Sequence, residues 1–110
     1  MQSRANQPSV SQVSPEQARD KQQQGAMLLD VREPEEWRDG HAPDAIHIPL
    51  GSLGARIKEL DPSQEIVTVC RSGARSTTAA KILTQAGFPN VHNLAGGMIA
   101  WAEKRLPVTK

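Results

Sequence analysis

The chain has a single cysteine, no tyrosine, one phenylalanine and two tryptophans in 110 residues. One thiol cannot close an intramolecular disulfide or supply a zinc site built from several thiolates. With only Trp37, Phe88 and Trp101 as aromatics, there is no row of rings on which unpaired bases could stack. An excess of charge of one sign is also missing. Thirteen Lys and Arg stand against 12 Asp and Glu, for a net charge of +1. That balance provides neither a basic footprint for nucleic acid nor a polybasic membrane anchor. No apolar run approaches the roughly 20 residues that span a bilayer. The stretch from Met1 to Gln12 is polar and lacks the apolar segment of a signal peptide. His41, His47 and His92 are scattered, and with one cysteine they form no metal-ligand spacing. The expectation is a cytoplasmic protein without metal or cofactor, without nucleic-acid or membrane partners, and monomeric by default.

What is present is a regular alternation. Residues 1–9 are rich in Gln, Ser, Asn and Pro and read as a disordered tail, leaving one domain over 10–110. Val10 and Val13 suit a short edge strand. Ser14-Pro15-Glu16-Gln17 is a helix start with a cap, a proline at the first helical position and a glutamine three residues past the cap. That helix should stop at Gly25. Met27–Val31, Ala45–Ile48, Ile66–Val69 and Val91–Leu94 read as further strands. Helices are expected near Pro34–Trp37, over Gly51–Leu60 with Leu53, Ile57 and Leu60 on one face, over Arg75–Gln85, and over Met98–Lys104. Strands alternating with helices argue for an α/β fold: a central, mostly parallel sheet of about five strands with helices on both faces. The strand runs around Leu28, Ile46 and Val67 are nearly continuously apolar, as strands covered on both sides should be.

The lone cysteine stands at a strand end. Cys70 closes Ile66-Val67-Thr68-Val69 and opens Cys70-Arg71-Ser72-Gly73-Ala74-Arg75-Ser76, ahead of a helix. An isolated cysteine in such a place ordinarily fills core space. The residues after it suit a different role. In open α/β sheets ligands bind at the carboxyl ends of strands, and the free amides of a helix N-terminus favour an anion. Gly73 permits backbone conformations in which several N–H groups converge. Two arginines add positive charge. Such surroundings lower a thiol's pKa, and the thiolate is the reactive form.

Four segments carry a resemblance to a known family. They are Leu28-Leu29-Asp30-Val31-Arg32 with Glu33-Pro34-Glu35-Glu36-Trp37; Gly40-His41-Ala42-Pro43-Asp44-Ala45-Ile46-His47-Ile48-Pro49; the Cys70–Ser76 loop; and Leu94-Ala95-Gly96-Gly97-Met98-Ile99-Ala100-Trp101. In this order and at these separations the chain resembles a single-domain rhodanese, a thiosulfate sulfurtransferase-like module, from about Val10 to Val108. One departure is Ala42-Pro43-Asp44, where the family more often shows Ile-Pro-Gly; it concerns local turn geometry.

The resemblance implies a rhodanese-like fold and a sulfur relay. Cys70 would take a sulfane sulfur from a donor such as thiosulfate, become a persulfide, and pass the sulfur to cyanide, a thiol or a protein acceptor. The loop residues Arg71, Ser72, Gly73, Ala74, Arg75 and Ser76 would bind the substrate, mainly through backbone amides wrapped around the outer sulfur. Arg71 and Arg75 are the side-chain candidates for the sulfonate of thiosulfate. Asp30 and Arg32 match the family's Asp-x-Arg and read as a structural ion pair bracing the site. His41 reads as a turn brace, His47 as a core or edge residue, and Trp37 and Trp101 as core. Gly96-Gly97 is a turn that lets the last helix pack closely, and Met98 could reach the rim. Three rival roles remain at this level. Phosphatases and arsenate reductases of related fold place five residues between cysteine and arginine, whereas four lie between Cys70 and Arg75. A persulfide carrier would use the same chemistry with a different donor. An inactive interaction domain would leave the cysteine loop without purpose.

Overall fold

A computed structural model describes residues 10–110; the expected tail, residues 1–9, lies outside them. Strand β1 (Ser11–Val13) leads to helix α1 (Pro15–Gln23), β2 (Met27–Asp30), α2 (Pro34–Asp39) and β3 (Ile46–His47). Helix α3 (Leu50–Arg56), a 3₁₀ turn (Ile57–Glu59), β4 (Ile66–Val69), α4 (Ala74–Gln85), β5 (Val91–Leu94) and α5 (Gly97–Glu103) complete the chain. The strands form one sheet in the order β1-β5-β4-β2-β3. Every strand pairing in it is parallel. The only antiparallel pairing among the described residues is the isolated bridge between His41 and Thr109.

Successive strand residues point to opposite faces, and both faces are covered. Leu29, Ile66 and Val91 pack with Leu53 of α3 and Ala79 and Leu83 of α4. Leu28, Val67, Val69 and Leu94 pack with Ala18 of α1 and Met98 and Trp101 of α5. This double burial is why β2 is apolar up to its last residue and why β4 is buried throughout, its one polar side chain, Thr68, donating its hydroxyl to Ser76 O at 2.8 Å.

Local signals account for most boundaries. Ser14 and Gln17 form the full capping box of α1, with Gln17 N–H donating to Ser14 Oγ at 3.1 Å and Ser14 N–H to Gln17 Oε1 at 2.8 Å. Asp44 adopts φ of 64°. It stands where the resemblance leads one to expect glycine, and aspartate is among the few side chains that tolerate this region.

Three expectations need correction. The helix expected over Gly51–Leu60 divides into α3 and the 3₁₀ turn, and Leu60 is extended. Two glycines weaken this helix, yet Leu53 and Leu60 are buried as anticipated. The third strand keeps only Ile46 and His47, because Pro49 ends it at the sheet edge. Trp101 is fully buried, but Trp37 is only half-buried. Helix α2 has no buried residue, and Trp37 instead stacks on His41 and His47, with ring centroids 3.4 and 4.8 Å away.

Candidate active site

Cys70 follows β4 directly and is 1% exposed. Its Sγ faces the start of α4, where Gly73 N–H donates to it at 3.1 Å and the Ser76 hydroxyl lies 3.3 Å away. Gly73 reaches this position with φ of 112°. A Cβ there would meet nothing closer than 3.5 Å, so glycine is required by its backbone angle and not by lack of space.

Two opposed effects set the thiol's acidity. Burial pushes the pKa up, because a thiolate is poorly solvated there. Hydrogen bonds from the Ser76 hydroxyl and from the amides of Ser76, Gly73 and Ser72 pull it down. The hydrogen bonds win, and the pKa falls below the ordinary value. No histidine takes part. The carbonyl partners of His41 and His47 can only accept, so His41 Nδ1–H donates to Trp37 O and His47 Nε2–H to Arg32 O, each at 2.8 Å. His92 Nε2 pairs with Glu65 at 2.7 Å.

The loop is held from the α5 side. Met98 N–H donates to Cys70 O at 2.8 Å and Ile99 N–H to Arg71 O at 3.1 Å. This needs Gly97, because a Cβ at that position would overlap the Arg71 carbonyl and Cys70 O. Close packing through Gly96-Gly97 was an expectation of the sequence; the object packed against, the backbone of the cysteine loop itself, was not.

A polar chain runs behind the sulfur. The Ser76 hydroxyl also contacts Asn93 Oδ1, and Asn93 Nδ2–H donates to Gln12 Oε1 at 2.8 Å. Ser76 and Asn93 are buried. A hydroxyl has one proton to give, so Ser76 serves Sγ or Asn93, not both at once. Asn93 and Gln12 carry no motif that singles them out; Gln12 reaches Asn93 because β1 and β5 pair with Gln12 opposite Asn93.

The remaining site candidates separate by role. Asp30 and Arg32 form a buried bidentate pair, Arg32 Nε to Asp30 Oδ1 at 3.0 Å and Nη2 to Oδ2 at 2.8 Å. Arg32 Nη2 also donates to Gly40 O at 2.8 Å. Arg71, Ser72 and Ala74 are exposed on the loop. The Arg75 fork is occupied, with Nη1 and Nη2 on the Glu36 carboxylate at 2.7 and 2.8 Å. This pairing spans 39 residues, and Glu36 was not among the expected site residues. A cleft beside the loop is lined by Glu36, Asp39, Arg71, Met98 and Ile99, which places Met98 at the rim. Among the described residues no cluster of three metal-ligating side chains occurs, and no helix is long and apolar enough to cross a membrane.

Comparison with known proteins finds the same architecture, and relatives that are sulfurtransferases. Residues 14–104 match the model of the rhodanese-like domain. A sulfurtransferase of Allochromatium vinosum is 43% identical over 82 residues, covering 74% of this chain and 77% of that protein. A thiosulfate sulfurtransferase of Pseudomonas syringae is 38% identical over 89 residues, covering 81% and 84%. The crystal structure of a rhodanese-related protein from Thermoplasma volcanium superposes with a TM-score of 0.84 at 29% identity, covering 90% of this chain and 97% of that one.

Proposed function

The chain belongs to the rhodanese-like domain family and shares its general role in sulfur transfer, and on that premise we propose that Cys70 carries the sulfur as a persulfide. The observation that supports this most directly is a buried Sγ whose thiol is nevertheless acidified, by Gly73 N–H at 3.1 Å and the Ser76 hydroxyl at 3.3 Å. The thiolate attacks the outer sulfur of the donor. The donor's S–S bond breaks, and its electron pair leaves with sulfite when the donor is thiosulfate, or with a thiolate when it is a persulfide. The product is Sγ–S⁻, whose charge lies on the outer sulfur.

The loop then acts as an oxyanion hole does for oxygen, with directed N–H groups in a site closed to water. The acceptor, cyanide or a thiol, attacks that outer sulfur and Cys70 leaves again as thiolate. No histidine near the sulfur acts as a general base; the loop's hydrogen bonds favour the thiolate instead. Backbone amides of Ser72, Gly73 and Ser76 do the binding, and Arg71 is the guanidinium open to a sulfonate. A reducing cytoplasm suits such a thiol.

A second reading, a persulfide carrier that hands its sulfur to a partner protein, is favoured by the occupied Arg75 fork, which leaves thiosulfate one cation fewer. Incubation with thiosulfate, removal of excess and measurement of the intact mass tests the cycle. A gain of one sulfur atom, lost on adding cyanide and absent in Cys70→Ser, is expected. No gain from thiosulfate or from polysulfide would sink the assignment.

A further inference from the structure

The cleft beside the cysteine loop is nearly neutral. Arg32 is matched by Asp30, and Arg75 is matched by Glu36. What remains is Arg71, which has no ion-pair partner among the described residues, and Asp39 across the cleft from it. Met98 and Ile99 supply an apolar wall, and Ile99 is 42% exposed there.

Glu36 is held from two sides. Its Oε1 accepts from Arg75 Nη1 at 2.7 Å and from Glu33 N–H at 3.0 Å, the latter closing the capping box of α2. Arg75 Nη2 takes the other oxygen at 2.8 Å. The carboxylate cannot leave the guanidinium without also giving up the cap. With Nη1 and Nη2 both on the carboxylate, the end-on face of the guanidinium is taken and its charge is matched, which leaves only the Nε edge, without net charge, for a second oxyanion.

Thiosulfate carries two negative charges and needs its sulfonate held. In this cleft it finds one open guanidinium, that of Arg71, and the carboxylate of Asp39, which has no ion-pair partner among the described residues. A persulfide of an organic thiol brings at most one negative charge at its reacting end, and a carbon-bearing group that can lie on Met98 and Ile99. We propose that Glu36 is a specificity-determining residue, which by occupying Arg75 turns the site away from dianionic donors such as thiosulfate and toward organic persulfides. The inference rests on Cys70 being the sulfur carrier. With a persulfide R–S–SH, the Cys70 thiolate bonds to the outer sulfur, the R–S bond to that sulfur breaks, and R–S⁻ departs with the persulfide's proton to give R–SH and Sγ–S⁻. Glu36 touches neither sulfur and acts through Arg75, as a positioning residue does.

The test compares wild type, Glu36→Gln and the double variant Glu36→Gln/Arg75→Gln, with thiosulfate and with glutathione persulfide as donors. Gln at 36 keeps an oxygen for Glu33 N–H and removes the charge. Glu36→Gln is expected to lower the thiosulfate KM about tenfold, the worth of one charge-assisted hydrogen bond. Its kcat should stay within about twofold of wild type, and its KM for glutathione persulfide should not fall. An unchanged or raised thiosulfate KM overturns the proposal. If Glu36→Gln fails to fold, the double variant Glu36→Gln/Arg75→Gln decides, since Arg75→Gln alone would leave the Glu36 charge unmatched. Removing both members of an occupied pair predicts a thiosulfate KM within about twofold of wild type, and a large increase would show that Arg75 binds the donor. The intact mass of Cys70 separates the two levels. Sulfur gained from glutathione persulfide with an unmoved thiosulfate KM removes only the role of Glu36, whereas no sulfur from either donor removes the carrier reading along with it.

Discussion

Two buried acidic groups lie at neighbouring strand ends and are treated in opposite ways. Asp30 ends β2 and pairs in register with Val69, the residue before Cys70. Its carboxylate is met by three contacts from the Arg32 side chain and one from the Arg32 amide, at 2.8–3.1 Å. A full positive charge cancels it, and nothing reactive remains. Cys70 is met by an amide and a hydroxyl. Neutral donors stabilise the anion without cancelling it, so its electron pair stays available for attack. An anion that braces a fold is matched by an opposite charge, while an anion that does chemistry is solvated by dipoles.

Cys70→Ser should break the reactive side of this contrast most completely. Loss of the nucleophile is expected to cost roughly 10⁴-fold or more in transfer rate, with the thermal midpoint nearly unchanged because the volume hardly alters. Asp30→Ala attacks the other side. It leaves Arg32 buried and unpaired, and about 3–5 kcal/mol of stability should disappear from urea unfolding curves. A loss below 1 kcal/mol would mean that Arg32 escapes to water.

Gly97→Ala drives a methyl group into the Arg71 carbonyl. A destabilisation of about 1–3 kcal/mol is expected, together with slower persulfide formation in stopped-flow measurements, since the loop itself must shift. Retained kinetics in a destabilised protein would detach the α5 contact from catalysis.

The relay behind the sulfur sharpens the comparison. An aspartate at position 93 replaces the neutral acceptor Oδ1 with a charged one, which holds the Ser76 proton more strongly and adds negative charge behind Sγ. Asn93→Asp should move the pH profile of Cys70 alkylation upward. In the wild type that profile has its midpoint below the ordinary thiol value of 9.0, with the rate rising as the thiolate forms. An unmoved profile would show that Ser76 does not depend on Asn93.

The smallest effect concerns Glu36. Arg75 holds its pKa down from 4.5 to about 2. A folded-state pKa below the unfolded one adds stability above the unfolded value, which is lost as pH falls through the folded one. Acid titration of unfolding should therefore show a contribution disappearing between about pH 4.5 and 2, reduced in Glu36→Gln. The pair is about one-third exposed, so the contribution is modest.

Much of this molecule was open to reading from residues alone, for reasons that differ by element. The capping box at Ser14 and the continuously apolar strands are local features, and local physics decides them. The Cys70 loop was equally plain, because its glycine and helix start lie within six residues of the sulfur. Trp37 was misplaced because α2 is too short and too exposed to reach either covered face of the sheet, a fact about neighbours and not about tryptophan.

The sequence by itself determined the α/β alternation, the position of the nucleophile and the glycine that lets an amide turn toward it. These depend on contacts between residues close along the chain, where geometry is dictated by a few dihedral angles. Only the tertiary structure decided which donors surround the sulfur and which charges are spent. Gln12 meets Asn93 through strand register, Gly97 lies on the loop through helix docking, and Glu36 takes the Arg75 fork from 39 residues away. Hydrogen bonds and ion pairs act over a few ångströms, so their partners are settled by packing, whatever the separation in the chain.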